Sequence, residues 1–449
     1  MKRTKFIYTV DTNSIDYDTM GNMTINGVDA IGVSFNMSVR EREEVLRTIK
    51  KVRTNTKNNI ALCWEMRGPE FRTGALVSDY VELIKGLQIT IVKEKIIGDA
   101  KRISVNHPEA LDTINIGDIL LLDDDKMKLK VIEKNAKYIT CSILSGGRLG
   151  NHKSINVVGV KLNIPYVSNS DREDLRYACN NGGEYLIIPE ISSKIDVIAV
   201  KQLLKKYERE DLQVICKIQN KFVVKELEDI LSICDGVILD RKKLSADVSL
   251  EKLSILQKYV GQLCREHNKV FVVVPEELET SVIVNSILSG VDAISFSNIL
   301  EPVEKMMEFS DITIATESYA KFDYALEGIG DNSLTSVMLQ SIIDVCNKID
   351  VAAISTYTRN GNVSRIISNL KPRTIIFTLC PTEKVCRSLA LNYGVYASCL
   401  KSNTFDGDYV KLTSSILELE KGDNILVTGS FPLGSKNDEK INFMEIEEI

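Results

Sequence analysis

The sequence predicts an α/β protein: a (β/α)8 barrel with a small all-β domain inserted into it and a C-terminal α/β lobe. Three observations carry that reading. Eight short β-branched runs recur along the first two thirds of the chain, most followed by a helical pattern. Between the third and fourth runs the texture changes to short, turn-rich segments with few helical patterns. From about Tyr319 onward helix and strand alternate again. At 449 residues the chain has the length of two or three domains. A core of that size needs no disulfide or metal to hold it together.

The first three runs are Lys5 to Val10, Asp29 to Phe35 and Asn59 to Glu65. The series resumes at Glu184 to Glu190, Gln213 to Gln219, Gly236 to Asp240, Val270 to Pro275 and Ala293 to Ser297. These runs are apolar on both faces, as parallel strands covered by helices must be. Amphipathic helices are expected between them, over Lys221 to Ile233 and Ser249 to His267. Periodicity does not show closure, so a doubly wound sheet stays open as the structural alternative. The barrel is expected over 1–74 and 162–318, the inserted domain over 75–161 and the C-terminal lobe over 319–449. Strands are expected in the insert at Leu87 to Val92, Ile119 to Leu122, Lys128 to Ile132 and Tyr138 to Ile143. In the lobe they are expected at Val351 to Thr356, Thr374 to Leu379 and Asp423 to Gly429, followed by a charged, strand-like tail.

Composition narrows the function. Lys plus Arg is 56 and Asp plus Glu is 62, a formal net charge of -6. A general nucleic-acid binder needs a basic excess to neutralise phosphates, so that class is excluded, although a local cationic pocket is not. The 10 cysteines are scattered and none has Cys-x-x-Cys spacing, which argues against structural zinc. Cys63, Cys216 and Cys234 lie in apolar runs and read as buried free thiols in a reducing compartment. No apolar stretch reaches the length of a membrane span, and no secretory signal is evident, so a cytoplasmic location is expected.

In a barrel of this kind chemistry sits at the C-terminal ends of the strands. Those ends carry Arg67 and Arg72, then Lys217 and Gln219, then Asp240-Arg241-Lys242-Lys243, then Pro275-Glu276-Glu277, then Ser295, Ser297 and Asn298. Lys217 follows Val214-Ile215-Cys216 inside an apolar strand, where a lysine is costly unless paired. The bland account is a lysine snorkelling from the rim. The cations gathered on neighbouring loops favour an anion-attracting mouth suited to phosphate or carboxylate ligands.

Met66-Arg67-Gly68-Pro69-Glu70-Phe71-Arg72-Thr73-Gly74 resembles the pyruvate kinase motif Thr-Lys-Gly-Pro-Glu-Ile-Arg-Thr-Gly. Lys217-Ile218-Gln219-Asn220 resembles that family's Lys-Ile-Glu-Asn. Asp123-Asp124 and the run Gly146 to Lys153 resemble its inserted β-barrel lid. The resemblance spans nearly the whole chain. It implies phosphoryl transfer between phosphoenolpyruvate and ADP in glycolysis, helped by magnesium and potassium, in a tetramer. It implies Lys217 and Arg72 as catalytic residues, and Lys153 and Asp124 as nucleotide-binding residues of the lid. Arg67, Lys242 and Lys243 would face the substrate anion. Ile354-Ser355-Thr356-Tyr357-Thr358-Arg359 resembles the family's effector phosphate loop, with Thr356, Thr358 and Arg359 as its contacts. An ordinary turn entering a helix fits those residues equally well.

Membership does not carry activity with it. The family holds its divalent ion with a Glu and an Asp, and here those positions are Gln219 and Lys243. Its threonine, implicated in proton delivery to the enolate, is Pro275, which has no hydroxyl. The potassium-linked positions also change, at Ser34, Asn36, Glu65 and Met66. These departures predict that catalysis is lost or very weak and that magnesium and potassium are not bound. The expected role is a regulatory or structural subunit, oligomeric and assembled with an active pyruvate kinase paralogue. Two other readings stay open: an active divergent enzyme with re-sited carboxylates, drawn from Glu65, Asp240, Glu276 and Glu277, and a metal-independent sensor of phosphorylated anions.

Overall fold

The computed structural model describes the whole chain except residues 57, 70, 124–125, 161, 222, 246–247, 321, 323–333, 401–408 and 431–440. Eight strands form the barrel: β1 (Lys5–Thr9), β2 (Ala30–Ser34), β3 (Ala61–Glu65), β4 (Tyr185–Ile188), β5 (Gln213–Ile218), β6 (Gly236–Asp240), β7 (Val270–Val274) and β8 (Ala293–Ser297). Each is parallel to its sequence neighbours, and β1 pairs with β8 to close the ring. Closure removes the doubly wound alternative. Alternate residues from all eight strands, among them Ile7, Ala61, Tyr185, Ile215 and Ile238, form one buried cluster inside the ring. The residues between them, such as Phe6, Leu62, Leu186, Val214 and Val237, pack outward in the larger cluster shared with the helices. The two-residue period of a strand therefore fixes which side chains look inward.

The interior leaves little room. A Cβ on Gly236 would stand 2.7 Å from the Val270 carbonyl oxygen and 2.9 Å from Ile215 Cδ1. Gly236→Ala is expected to cost about 1–3 kcal/mol through overpacking. Urea unfolding would measure it, and an unchanged midpoint would show that the ring relaxes around the methyl.

The base of the barrel is held by a repeated device. An acidic residue stands directly before each even strand: Asp29, Glu184, Asp235 and Asp292. Its carboxylate accepts from the second amide of the preceding odd strand. The donors are Phe6 (2.8 Å), Leu62 (2.9 Å), Val214 (2.8 Å) and Phe271 (2.8 Å). Its own carbonyl accepts from the first amide of the next odd strand, at Ala61, Gln213, Val270 and Lys5. Each acid also meets a cation. Lys2 Nζ lies 2.5 Å from Asp29, Arg387 Nε 2.7 Å from Glu184 and Lys201 Nζ 3.4 Å from Asp235, while Lys371 pairs with Asp292.

The insert leaves after β3 and returns before β4. Its strands form a six-stranded sheet and a separate two-stranded ribbon (Tyr80–Leu83 with Gly147–Gly150), and the segment entering the insert bridges the two edges of the larger sheet, Arg72 to Ser154 and Thr73 to Val105. The C-terminal lobe carries five strands: β9 (Ala353–Tyr357), β10 (Ile375–Cys380), β11 (Val395–Cys399), β12 (Asn424–Gly429) and β13 (Phe443–Glu448). Their order is β11-β10-β9-β12-β13, with only β13 antiparallel. Helix Leu250–Glu266 lies where it was expected. The helix expected over Lys221 to Ile233 is shorter: a 3-10 turn, Val223–Glu226, leads into Leu227–Leu231. Two consecutive β-branched residues, Val223 and Val224, disfavour a longer helix. Among the described residues, no helix is long and apolar enough to cross a membrane.

Candidate active site

Strand parity builds the site at the C-terminal rim of the barrel. Ala61 and Cys63 look inward, and so does Glu65 two residues on. Ile215 looks inward, which aims Lys217 and Gln219 the same way. Ile238 does the same for Asp240. These four side chains meet. Lys217 Nζ lies 2.7 Å from Glu65 Oε1 and 3.6 Å from Asp240 Oδ2. Burial disfavours the Lys217 ammonium, but Glu65 and Asp240 outweigh it and hold the lysine above its ordinary value.

Gln219 is buried and engaged at both ends. Its Nε2 donates to Asp240 Oδ2 at 2.9 Å, and its Oε1 accepts from the Glu190 amide at 2.9 Å. Asp240 Oδ1 accepts from the Lys243 amide at 3.1 Å and so caps the short helix Arg241–Leu244. That cap sets Lys243 at the rim, where its Nζ meets Glu190 Oε1 at 2.7 Å. Glu190 follows β4 with φ 53°, a left-handed conformation uncommon outside glycine. Sequence reasoning missed it. It closes the run Glu184 to Glu190, but period-two reading does not aim it inward, because the backbone turns over there.

The other predicted site residues lie around this cluster. Arg67 Nε is 3.0 Å from Asp174 Oδ2, on helix Asn169–Asn181, and Arg42 reaches the same carboxylate at 3.6 Å. The Arg67 loop folds tightly because Gly68 takes φ 78°, where a Cβ would stand 3.0 Å from Pro189 Cγ. Arg72 is tied to the insert: its guanidinium donates to the His152 carbonyl at 2.8 Å and its amide to Asn106 Oδ1 at 2.8 Å. Lys153 Nζ pairs with Asp123 Oδ1 at 3.0 Å. Asp124 lies outside the described residues. Lys242 is exposed and Pro275 is buried at the end of β7. Arg241 makes a two-point contact with Glu276, both distances 2.5 Å, so that carboxylate is already taken. Glu277 is exposed.

The mouth therefore differs from the bare cationic one that the strand ends suggested. Lys217 and Lys243 face three carboxylates, Glu65, Glu190 and Asp240, while Arg241 is held by Glu276 and Arg67 shares Asp174 with Arg42. The missed acids reach the mouth from a helix and from a turned-over loop.

A divalent ion of the magnesium type wants several oxygen ligands, anionic ones first. At the two positions in question Gln219 and Lys243 bring no carboxylate, and both oxygens of Asp240 already accept from Gln219 and from the Lys243 amide. The residues present do not fit such an ion. Glu65, at a potassium-linked position, is held by the Lys217 ammonium. In the C-terminal lobe Thr356 and Thr358 are fully buried, and the Thr358 hydroxyl accepts from the Gly361 amide at 2.9 Å. Arg359 alone of the three predicted loop contacts is exposed, because Thr358 is spent on holding the turn.

Comparison with known proteins follows the same division. The family described as pyruvate kinase, barrel domain, matches residues 1–298, and pyruvate kinase, alpha/beta domain, matches residues 336–447. A pyruvate kinase of Clostridium perfringens is 27% identical over 476 aligned residues, covering 100% of both chains. One from Thermococcus litoralis is 28% identical, covering 96% of each. A crystal structure of a pyruvate kinase from Cryptosporidium parvum superposes with a TM-score of 0.89 at 20% identity, covering 100% of this chain and 96% of that one. At that identity the structural likeness is one of fold.

Proposed function

Because this chain belongs to the pyruvate kinase family, we propose that it is a catalytically silent member, acting as a regulatory or structural subunit beside an active relative. One observation carries the reading. Where the family's divalent ion belongs, the Lys243 ammonium sits on Glu190, and Gln219 and Asp240 are bonded to each other. An ammonium at a ligand position repels a divalent ion placed beside it. Phosphoryl transfer rests on neutralising phosphate oxygens, so losing that ion removes a principal source of stabilisation. Pro275 removes a hydroxyl from the same rim. Exposed apolar side chains on helix Pro302–Tyr319, such as Met307, Ile314 and Tyr319, favour assembly with another subunit.

The test is pyruvate formation from phosphoenolpyruvate and ADP with potassium and either magnesium or manganese. Lys217→Met serves as the contamination control. The expected rate equals that of the control. Turnover of about 1 per second or more above it would establish an active enzyme with re-sited carboxylates and end this reading. The subunit role is tested by native mass, alone and mixed with an active pyruvate kinase from the same cell. A mixed oligomer is the expected result.

A further inference from the structure

Among the described residues, eleven buried side-chain nitrogen or oxygen atoms have no hydrogen-bond partner, and five of them gather in one place beside the barrel mouth. They are Arg42 Nε and Nη1, Arg67 Nε, Asp174 Oδ2 and Tyr177 Oη. Arg42, on helix Val39–Thr56 after β2, is only 5% exposed. Its guanidinium lies 4.7 Å from the ring centroids of both Phe35 and Tyr177. The rings fix its position without giving its N–H groups an acceptor. Among the described residues its one carboxylate is Asp174, at 3.6 Å, and that carboxylate serves Arg67 as well. Arg67 Nη2 donates to Asp174 Oδ1 at a long 3.3 Å, while Arg67 Nε stands 3.0 Å from Asp174 Oδ2 but out of line for a bond. Asp171, one turn earlier on the same helix, is taken up by the Ser168 amide at 2.9 Å and hydroxyl at 2.6 Å.

Two guanidiniums against one carboxylate leave a surplus of positive charge and of N–H donors. An oxyanion supplies both the charge and the acceptors. We propose that Arg67 and Arg42, which share Asp174, form a metal-independent site for phosphate or a phosphomonoester on the β2–β3–β4 side of the mouth. Arg67 is the contact residue: its side chain is 37% exposed, and Gly68, at φ 78°, turns the loop that carries it. Arg42 is a positioning residue. It draws on the charge of Asp174, so that Asp174 does not fully neutralise Arg67 and an edge of the Arg67 fork is left for the ligand.

Lys217 and Lys243 offer no such place, because three carboxylates already face those two ammonium groups. Binding at Arg67 needs no turnover, so it stands whether or not the chain forms pyruvate. Trp64, the single tryptophan, stacks on Phe35 with ring centroids 5.3 Å apart, and its emission reports on this corner of the barrel.

The full chain would be dialysed to equilibrium against radiolabelled inorganic phosphate, with a chelator present and ionic strength held constant, and Trp64 emission followed in parallel. The expected result is saturable binding with a matching change in emission. Asp174→Asn removes the competing charge and should tighten binding by about tenfold or more, and Arg42→Met returns Asp174 to Arg67 and should weaken it by about as much. Opposite effects at one cluster separate this role from a structural one, which would weaken binding in both. Arg67→Gln, at a partly exposed position, should abolish binding and keeps the test decisive if a buried variant fails to fold. No saturable binding by the wild-type chain would overturn the proposal, as would binding that the chelator removes, binding that survives in Arg67→Gln, or weaker binding in folded Asp174→Asn.

Discussion

Gln219→Glu combined with Lys243→Asp is expected to give divalent-cation binding well above that of the wild-type chain. The pair of changes removes one positive charge and adds two negative ones at the rim. It frees Asp240 from the amide of Gln219 and Glu190 from the ammonium of Lys243. Position 243 remains on a helix whose start is fixed by Asp240, so its side chain stays aimed at the same place. Several carboxylates would then face Lys217 alone, which is the oxygen-rich shell that a hard cation takes. Manganese titration, followed by the loss of the free-ion electron paramagnetic resonance signal, should give a dissociation constant of about 10⁻³ M or tighter, in the weak range of protein calcium sites. Each single change should do less, because one leaves the ammonium and the other the amide. Equal manganese binding by wild type and double variant would refute the account of the site given above. Pyruvate formation should stay low even in the double variant, because Pro275 still supplies no hydroxyl.

Asp292→Asn is expected to destabilise the protein by about 3–5 kcal/mol. Asp292 and Lys371 are both buried, and their pair joins the base of the barrel to the C-terminal lobe. The carboxylate also accepts from Phe271 at 2.8 Å and from Tyr393 at 3.2 Å. The amide can still accept one of these bonds, but it leaves the ammonium buried without its counter-charge. Urea unfolding should show the loss, and Lys371→Met in the same chain should restore most of it. Two equal, additive losses would mean that the pair is not coupled. The effect should depend on pH. Burial holds Lys371 below its ordinary value even with Asp292 beside it, and removing the carboxylate must lower it further. Between the folded and unfolded values the unfolded chain binds more protons, so raising pH favours the folded state there. The deficit of the variant should therefore be greatest near neutral pH and shrink as pH rises toward 10.

The barrel was legible because its signal is local. β-Branched runs at regular spacing mark all eight strands, and strand parity then carries Glu65, Lys217, Gln219 and Asp240 to one rim. Two features escaped. Glu190 breaks the parity with a left-handed backbone, and Asp174 reaches Arg67 from a helix more than a hundred residues away in the chain. The acids before the even strands were visible as residues, and Asp29 and Glu184 even opened predicted runs. Their role was not visible, because accepting an amide of the preceding strand is a tertiary fact. Thr358 shows the same limit: a hydroxyl in a loop-like sequence can be aimed outward at a ligand or inward at its own backbone, and composition does not say which.

The acids at the base join strands in the pairs 1–2, 3–4, 5–6 and 7–8. The pair 3–4 is also the one whose connection contains the whole insert, from residue 66 to residue 184. Glu184 thus pins the two ends of the longest excursion in the barrel with one side chain. Closing a flexible loop costs entropy that grows only logarithmically, about 0.6 kcal/mol for each doubling of length. A loop whose mouth is pinned in this way can lengthen, shorten or exchange its contents while the register of the ring stays fixed.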